Sequence, residues 1–131
     1  MRRLAILGGT VILSVAATPV LAVDFDGSAV LICAPAQTFD CAAGEDCARS
    51  LPEEIGAPAF MRIDVANRAV IGPKRTSPIL FVDKSETQLL LQGTELGYGW
   101  TIALDRETGK MTATLANREG VFVLFGACTA P

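Results

Sequence analysis

Apolar and polar residues alternate one by one along several short stretches of the chain, and this alternation constrains its fold more than any other feature. In residues 60–65, Met61 and Ile63 share one parity, while Arg62 and Asp64 share the other. A period of two places successive side chains on opposite faces of a strand. These stretches are therefore expected to be antiparallel strands with one face in solvent.

Turn-forming residues separate the stretches at intervals too short for long helices. Ser50, with Glu53 at capping-box spacing, Pro52 in the first turn and Gly56 at the end, indicates a single helical turn. We predict an all-β fold, a small antiparallel meander of seven to eight strands closed into a barrel or a rolled sandwich, with one short helical turn. The predicted strands are residues 29–34, 60–65, 69–72, 79–82, 88–92, 100–104, 111–115 and 121–128.

The last predicted strand, residues 121–128, is apolar at both parities and is therefore expected to be the most enclosed. As a free edge it would invite aggregation, so we expect it to pair with residues 29–34 and close the sheet. The side chains predicted to point inward are Met61, Ile63, Leu89, Leu91, Trp100, Ile102, Leu104, Val123 and Phe125.

Residues 1–22 have the features of a cleaved signal peptide. Arg2 and Arg3 precede an almost unbroken apolar run over residues 4–17, and Val20 and Ala22 occupy the −3 and −1 positions of a cleavage site. The run is shorter than the roughly 18 residues expected of a membrane-spanning helix. We predict cleavage after Ala22, a single β domain over residues 23–131, and a periplasmic or secreted location without membrane insertion.

The four cysteines predict two disulfides, because an exported chain meets an oxidising compartment. The alternative, a four-thiolate zinc site, usually has paired C-x2-C motifs, whereas the close pair here has five intervening residues. Cys41 and Cys47 flank a short loop that contains Gly44, so we pair them with each other. Cys33 and Cys128 lie in the first and last core strands, which barrel closure makes neighbours, so they form the second predicted pair.

The composition excludes several classes of function. The 131-residue chain contains no histidine, which excludes Ser-His-Asp and Cys-His nucleophiles, His-rich zinc sites and His-ligated haem. Its net charge of −3 becomes −5 when Arg2 and Arg3 leave with the signal peptide. Nucleic acids and anionic lipid surfaces select for stripes of Lys and Arg that are missing here. We therefore expect no nucleic-acid partner.

The acidic clusters have weak metal-site patterns. Asp24 and Asp26 resemble the opening of a calcium loop, but Pro35 stands where the bidentate Glu is needed. We expect a solvated, mobile N-terminal segment instead. The remaining acidic clusters, expected to be solvated surface charges, are Asp40 with Glu45 and Asp46, and Glu53 with Glu54. The sequence thus predicts no metal site, no cofactor and no catalytic residue.

Residues 93–100 contain the only tyrosine and the only tryptophan of the chain, in a glycine-rich segment. Aromatic side chains with a polar tip on an adaptable loop are typical of binding sites. The candidate binding residues are Glu95, Tyr98 and Trp100. Trp100 also has the inward parity of a core residue, and the glycines also permit a bend or bulge.

The general plan resembles small periplasmic β-barrels such as lysozyme inhibitors and other lipocalin-like modules. The resemblance concerns the fold, because the lipocalin Gly-x-Trp near the first strand is missing. We expect an exported binding module without catalytic activity that recognises a protein or a small molecule through loops at one barrel end. The alternatives are a non-catalytic structural protein of the envelope and, third, an enzyme of unknown class. An apolar cavity would favour a small molecule, and a filled interior with an exposed aromatic patch would favour a protein.

Overall fold

The computed structural model describes residues 16–17 and 23–131. The predicted signal peptide therefore lies almost wholly outside the described residues. No helix within them is long and apolar enough to span a bilayer. The elements are β1 (Leu31–Ala42), β2 (Ala48–Ser50), a 3-10 helix (Pro52–Ile55), β3 (Met61–Asp64), β4 (Ala69–Ile71), β5 (Thr76–Lys84), β6 (Gln88–Glu95), β7 (Tyr98–Asp105), β8 (Lys110–Ala116) and β9 (Gly120–Thr129).

The predicted all-β barrel is confirmed. Strands β3 to β9 follow one another as antiparallel neighbours, β3 pairs with β1, and β9 returns to pair with β1. Eight strands thereby form a closed barrel, and full closure leaves these strands without the free edges on which sheets aggregate. The ninth strand, β2, lies outside this ring and pairs with the second half of β1, where Thr38 is opposite Ser50.

Strand β1 is longer than the sequence predicts, because it continues through polar residues to Ala42. Both disulfides have the predicted pairing. Cys33 lies opposite Cys128 in the β1–β9 ladder, with 4.0 Å between their Cα atoms. Cys41 and Cys47, 4.3 Å apart at Cα, close the hairpin between β1 and β2.

The barrel interior is filled by one parity of each strand, and the prediction is wrong for β9. Leu124 points inward opposite Ala113, whereas Phe125 is 42% exposed and Val123 is only half-buried. Strand β9 is therefore not the most enclosed strand. Its sequence is apolar at both parities, so alternation does not indicate which side chains face the core. The buried apolar residues are Phe25, Leu31, Cys33, Met61, Ile63, Ile79, Leu89, Leu91, Trp100, Ile102, Leu104, Met111, Ala113, Leu124 and Cys128.

The N-terminal segment closes one end of the barrel, contrary to the prediction of a solvated, mobile segment. Phe25 is buried, and its backbone N–H donates to the Arg106 carbonyl at 3.1 Å. Asp24 forms an ion pair with Arg106 at 2.6 Å, and Asp26 forms one with Lys84 at 3.2 Å. The buried Phe25 side chain and the two ion pairs thus hold this segment against the barrel. We call this the closed end of the barrel.

The 3-10 helix begins one residue later than its sequence signal suggests. Leu51, not Ser50, is its N-terminal boundary, and the Leu51 backbone N–H donates to the Glu54 carboxylate at 2.8 Å. Gly56 ends the helix in a left-handed conformation with φ of 74°, as glycine readily does. The chain after this helix forms part of the wall of the cavity described below.

Candidate binding cavity

The glycine-rich segment is a tight hairpin rather than a long loop. Strand β6 continues to Glu95, β7 begins at Tyr98, and these two residues are paired. Only Leu96 and Gly97 lie between them, with φ of 47° and 84°. Two successive left-handed residues are the requirement of a type I′ turn, which suits the twist of paired strands. The hairpin holds its aromatic residues on regular strands.

Trp100 lies inside the barrel and is 7% exposed. Its indole Nε1 donates a hydrogen bond of 2.9 Å to Ser77 Oγ, which in turn donates to the Thr94 carbonyl at 3.2 Å. Gly93 lies directly opposite Trp100 on β6, and a Cβ atom there would overlap the indole ring. Glycine at this position therefore makes room for the ring, and the expectation of a core position for Trp100 is confirmed.

A cavity of about 250 Å³ lies next to Trp100, at the barrel end away from Phe25. We call this the open end. Three segments surround the cavity: residues 55–58 after the 3-10 helix, the corner between β4 and β5, and the β6–β7 hairpin. The Tyr98 ring packs on Phe122, with 5.9 Å between ring centroids. The other apolar lining residues include Met61, Val70, Ile102, Ala113, Leu115 and Leu124.

Among the residues that the structure describes, two charged ones line the cavity, and both are partly exposed to solvent at its entrance. Arg75 Nη1, from the β4–β5 corner, lies 3.8 Å from Glu95 Oε1, at the end of β6. Their side chains are 49% and 27% exposed. The separation is longer than a hydrogen bond, and solvent screens the pair, so it contributes little to stability. The cavity is thus apolar inside, with a weak ion pair at its mouth.

The three candidate residues from the sequence, Glu95, Tyr98 and Trp100, all line this cavity. Sequence reasoning missed Arg75 and Ser77, which no motif distinguishes from other turn and strand residues. They reach the cavity because β5, β6 and β7 are neighbours in the sheet, and that adjacency follows from the tertiary fold. Whether these residues bind a ligand stays a prediction.

The acidic clusters do not come together as a metal centre. Among residues 16–17 and 23–131, no three His, Cys, Asp or Glu side chains are placed to hold a metal ion. Asp40, Glu45 and Asp46 are exposed around the β1–β2 hairpin. Asp24 pairs with Arg106, and Asp26 pairs with Lys84, so each carboxylate has its own cationic partner.

An aromatic pair lies on the outside of the barrel. Phe125 on β9 and Phe39 on β1 meet edge to face, with 6.2 Å between ring centroids and 78° between ring planes. Leu80 and Phe81 on β5 are exposed as well. The molecule therefore has both an internal cavity and apolar side chains on its surface.

Comparison of the chain with protein-family models, with curated proteins and with solved structures gave no match.

Proposed function

We propose that this chain is an exported binding module without catalytic activity, which holds a small apolar molecule in the cavity at the open end. The observation that carries the proposal is the cavity itself, with its largely apolar lining and volume of about 250 Å³. Since an apolar cavity of about 150 Å³ holds benzene, this one has room for roughly ten non-hydrogen atoms. Ligand sites are typically such largely apolar concavities with a few polar groups.

The construction of the cavity supports this function. Its floor lies on paired strands, and the hydrogen bond from Trp100 to Ser77 fixes the largest ring. A site held by rigid elements loses little conformational freedom when a ligand binds. The closed end supports the barrel independently, because Phe25 fills it. The open end therefore stays free for recognition.

The chemistry of the lining favours binding over catalysis. Ser77 is a hydroxyl in the cavity wall, but it accepts from Trp100 and donates to the Thr94 carbonyl, and no histidine exists to activate it. Export is supported by the signal-peptide pattern of residues 1–22 and by two disulfides, which persist in oxidising compartments.

Toluene, with seven carbon atoms, is a suitable first probe. Trp100 is the only tryptophan, so its fluorescence reports directly on the cavity. We expect a saturable change in emission when toluene is titrated into residues 23–131. Ala113→Leu fills the cavity from its wall and should abolish the change.

Ala103→Leu is the matched control. Ala103 lies on β7, the strand paired with the β8 strand of Ala113, but it has the outward parity and is opposite Thr112. It should bind toluene as the wild type does. A wild-type protein that shows no saturable response, or equal binding by the wild type and Ala113→Leu, would contradict the proposal.

A further inference from the structure

We propose that the cavity selects uncharged amphiphiles, whose head group both donates and accepts hydrogen bonds between Arg75 and Glu95 at the entrance. Primary amides and alcohols have such head groups. This inference rests on the proposed function, since it names the class of ligand that the same cavity takes.

The two charges at the entrance come from separate elements. Arg75 lies in the β4–β5 corner, where the Gly72 backbone N–H donates to the Arg75 carbonyl at 2.9 Å. Glu95 ends β6 and is paired with Tyr98. The tight corner and the hairpin fix both backbones, and the two side chains approach to 3.8 Å between Arg75 Nη1 and Glu95 Oε1.

Both charged groups have hydrogen-bonding capacity to spare. The distance of 3.8 Å between Arg75 Nη1 and Glu95 Oε1 exceeds the range of about 2.7 to 3.2 Å for N–H···O hydrogen bonds. A guanidinium has five N–H donors and a carboxylate has two acceptor oxygens. A bound head group can therefore accept from Arg75 and donate to Glu95. The weak, partly exposed pair separates at little cost to admit it.

The balance of charge favours a neutral head group over an ionic one. Arg75 and Glu95 carry opposite unit charges, and the remaining lining residues in the described part of the chain are uncharged. An anion at the mouth would be attracted by Arg75 and repelled by Glu95 over similar distances, and a cation would meet the reverse. Either ion would also lose hydration without a net electrostatic gain. A neutral head group that both donates and accepts hydrogen bonds loses much less hydration and can bond to both Arg75 and Glu95.

The size of the cavity sets the length of the ligand body. Room for roughly ten non-hydrogen atoms, by proportion to the benzene-sized cavity, corresponds to an eight-carbon chain with its head group. Octanamide, octanoate and octylammonium share this body and differ in the charge of the head group. They are the probes for the experiment.

Isothermal titration calorimetry at pH 7 with residues 23–131, below the aggregation concentration of each probe, measures the three affinities. We expect octanamide to bind at least about tenfold more tightly than octanoate and octylammonium, a factor that corresponds to 1.4 kcal/mol. Tighter binding of either ion would overturn the inference.

Two substitutions at the entrance test the charge balance. Glu95→Gln leaves the positive charge of Arg75 uncompensated. The affinity for octanoate should therefore rise at least about tenfold relative to the affinity for octylammonium. Arg75→Gln leaves Glu95 uncompensated, and the preference should reverse. Both side chains are partly exposed, and thermal melts check that the variants fold. Lys74→Gln, next to Arg75 but outside the cavity lining, is the control and should leave the wild-type order unchanged.

The toluene experiment separates this inference from the proposed function. If toluene binds and the three octyl probes bind equally, the cavity is a binding site but the head-group selectivity is wrong. If toluene and the octyl probes all fail to bind, the proposed function and the inference both fail. Unchanged head-group preference in the Glu95 and Arg75 variants would also overturn the inference.

Discussion

The indole N–H of Trp100 on β7 donates a hydrogen bond of 2.9 Å to Ser77 Oγ on β5, across the intervening strand β6. The ring crosses β6 at Gly93, where no side chain separates it from the backbone. This contact fixes the floor of the cavity and ties three neighbouring strands together.

Gly93→Ala should destabilise the barrel by about 1 to 3 kcal/mol, since the new methyl group forces the Trp100 ring or the Pro78 carbonyl to move. Gly99→Ala is the matched control, because in the described part of the chain no atom beyond its chain neighbours lies within 4 Å of a Cβ at that position. Urea unfolding followed by circular dichroism measures both, and Trp100 emission should change only in Gly93→Ala. Equal stability of the two variants would contradict the close approach at Gly93.

The Cys33–Cys128 disulfide should stabilise the protein more than Cys41–Cys47. The two bridges join residues 95 and 6 positions apart. The chain-entropy treatment gives about 4 to 5 kcal/mol for the long loop and about 2 to 3 kcal/mol for the short one. Replacing both Cys33 and Cys128 by Ser should therefore lower Tm further than replacing both Cys41 and Cys47. The opposite order in thermal melts would show that the entropic argument fails here.

Phe125→Ser should cost about 1 kcal/mol or less, because Phe125 is outward and its main aromatic contact is Phe39. Leu124→Ala should cost about 2 to 5 kcal/mol, because Leu124 is 2% exposed and its truncation leaves a cavity. Chemical denaturation of the two variants measures the difference. A larger loss of stability for Phe125→Ser than for Leu124→Ala would mean that the Phe125 face of β9, not the Leu124 face, is buried.

Asp26 should make stability depend on pH in the acid range. Hydrogen bonds from Ser28, with a smaller contribution from Lys84, lower the pKa of this carboxyl group to about 2. Since the folded pKa lies below that of the unfolded chain, the stabilisation is fully present above about pH 4 and is lost as the pH falls towards 2.

Asp26→Asn should therefore have a Tm lower than the wild type by about 4 °C or less at pH 6, and the difference should vanish near pH 2. Thermal melts across this range measure it. Asp46→Asn, at an exposed position of the β1–β2 hairpin, is the control for the loss of one carboxylate. A difference for Asp26→Asn that stays constant down to pH 2 would refute the role of this carboxylate.

The protein recovered from outside the cytoplasm should begin at Val23, because Ala22 occupies the −1 position of the cleavage site. Intact-mass measurement decides this. A mass that retains residues 1–22 would exclude cleavage, and a different first residue would place the cleavage site elsewhere.

Alternation along the strands was enough to predict the closed β-fold. The apolar residues share one parity of each strand, and that parity is buried in the core, as it is for Met61 and Ile63 on β3 and for Ile102 and Leu104 on β7. It failed where a strand has no polar face, as at Phe125. It also failed in the second half of β1, where polar residues such as Thr38 lie between the neighbouring strands β2 and β9. Backbone pairing extends this strand, and pairing with distant strands leaves no periodic signal in the local sequence.

The candidate site was predicted in part for a similar reason. Tyr98 and Trp100 were found because they are unique aromatic residues in a glycine-rich segment. Arg75 and Ser77 were not, because their role comes from the neighbouring position of β5 beside β6. Phe25 was missed because its burial depends on the fit of one ring against Gly109 at the closed end.

The Cys33–Cys128 bond joins the start of β1 to the end of β9, and of residues 23–131 only 23–32 and 129–131 fall outside the loop that it closes. A mechanical pull applied to residues 23 and 131 would therefore first load the pairings outside this loop, such as Leu31 with Ile63 and Ile32 with Thr129, and then the covalent bond. Once those pairings separate, residues 23–32 and 129–131 would extend under tension, while the chain between the two cysteines would carry none of the load. The cavity lining, which extends from Ile55 to Leu124, lies wholly within the loop that the disulfide closes.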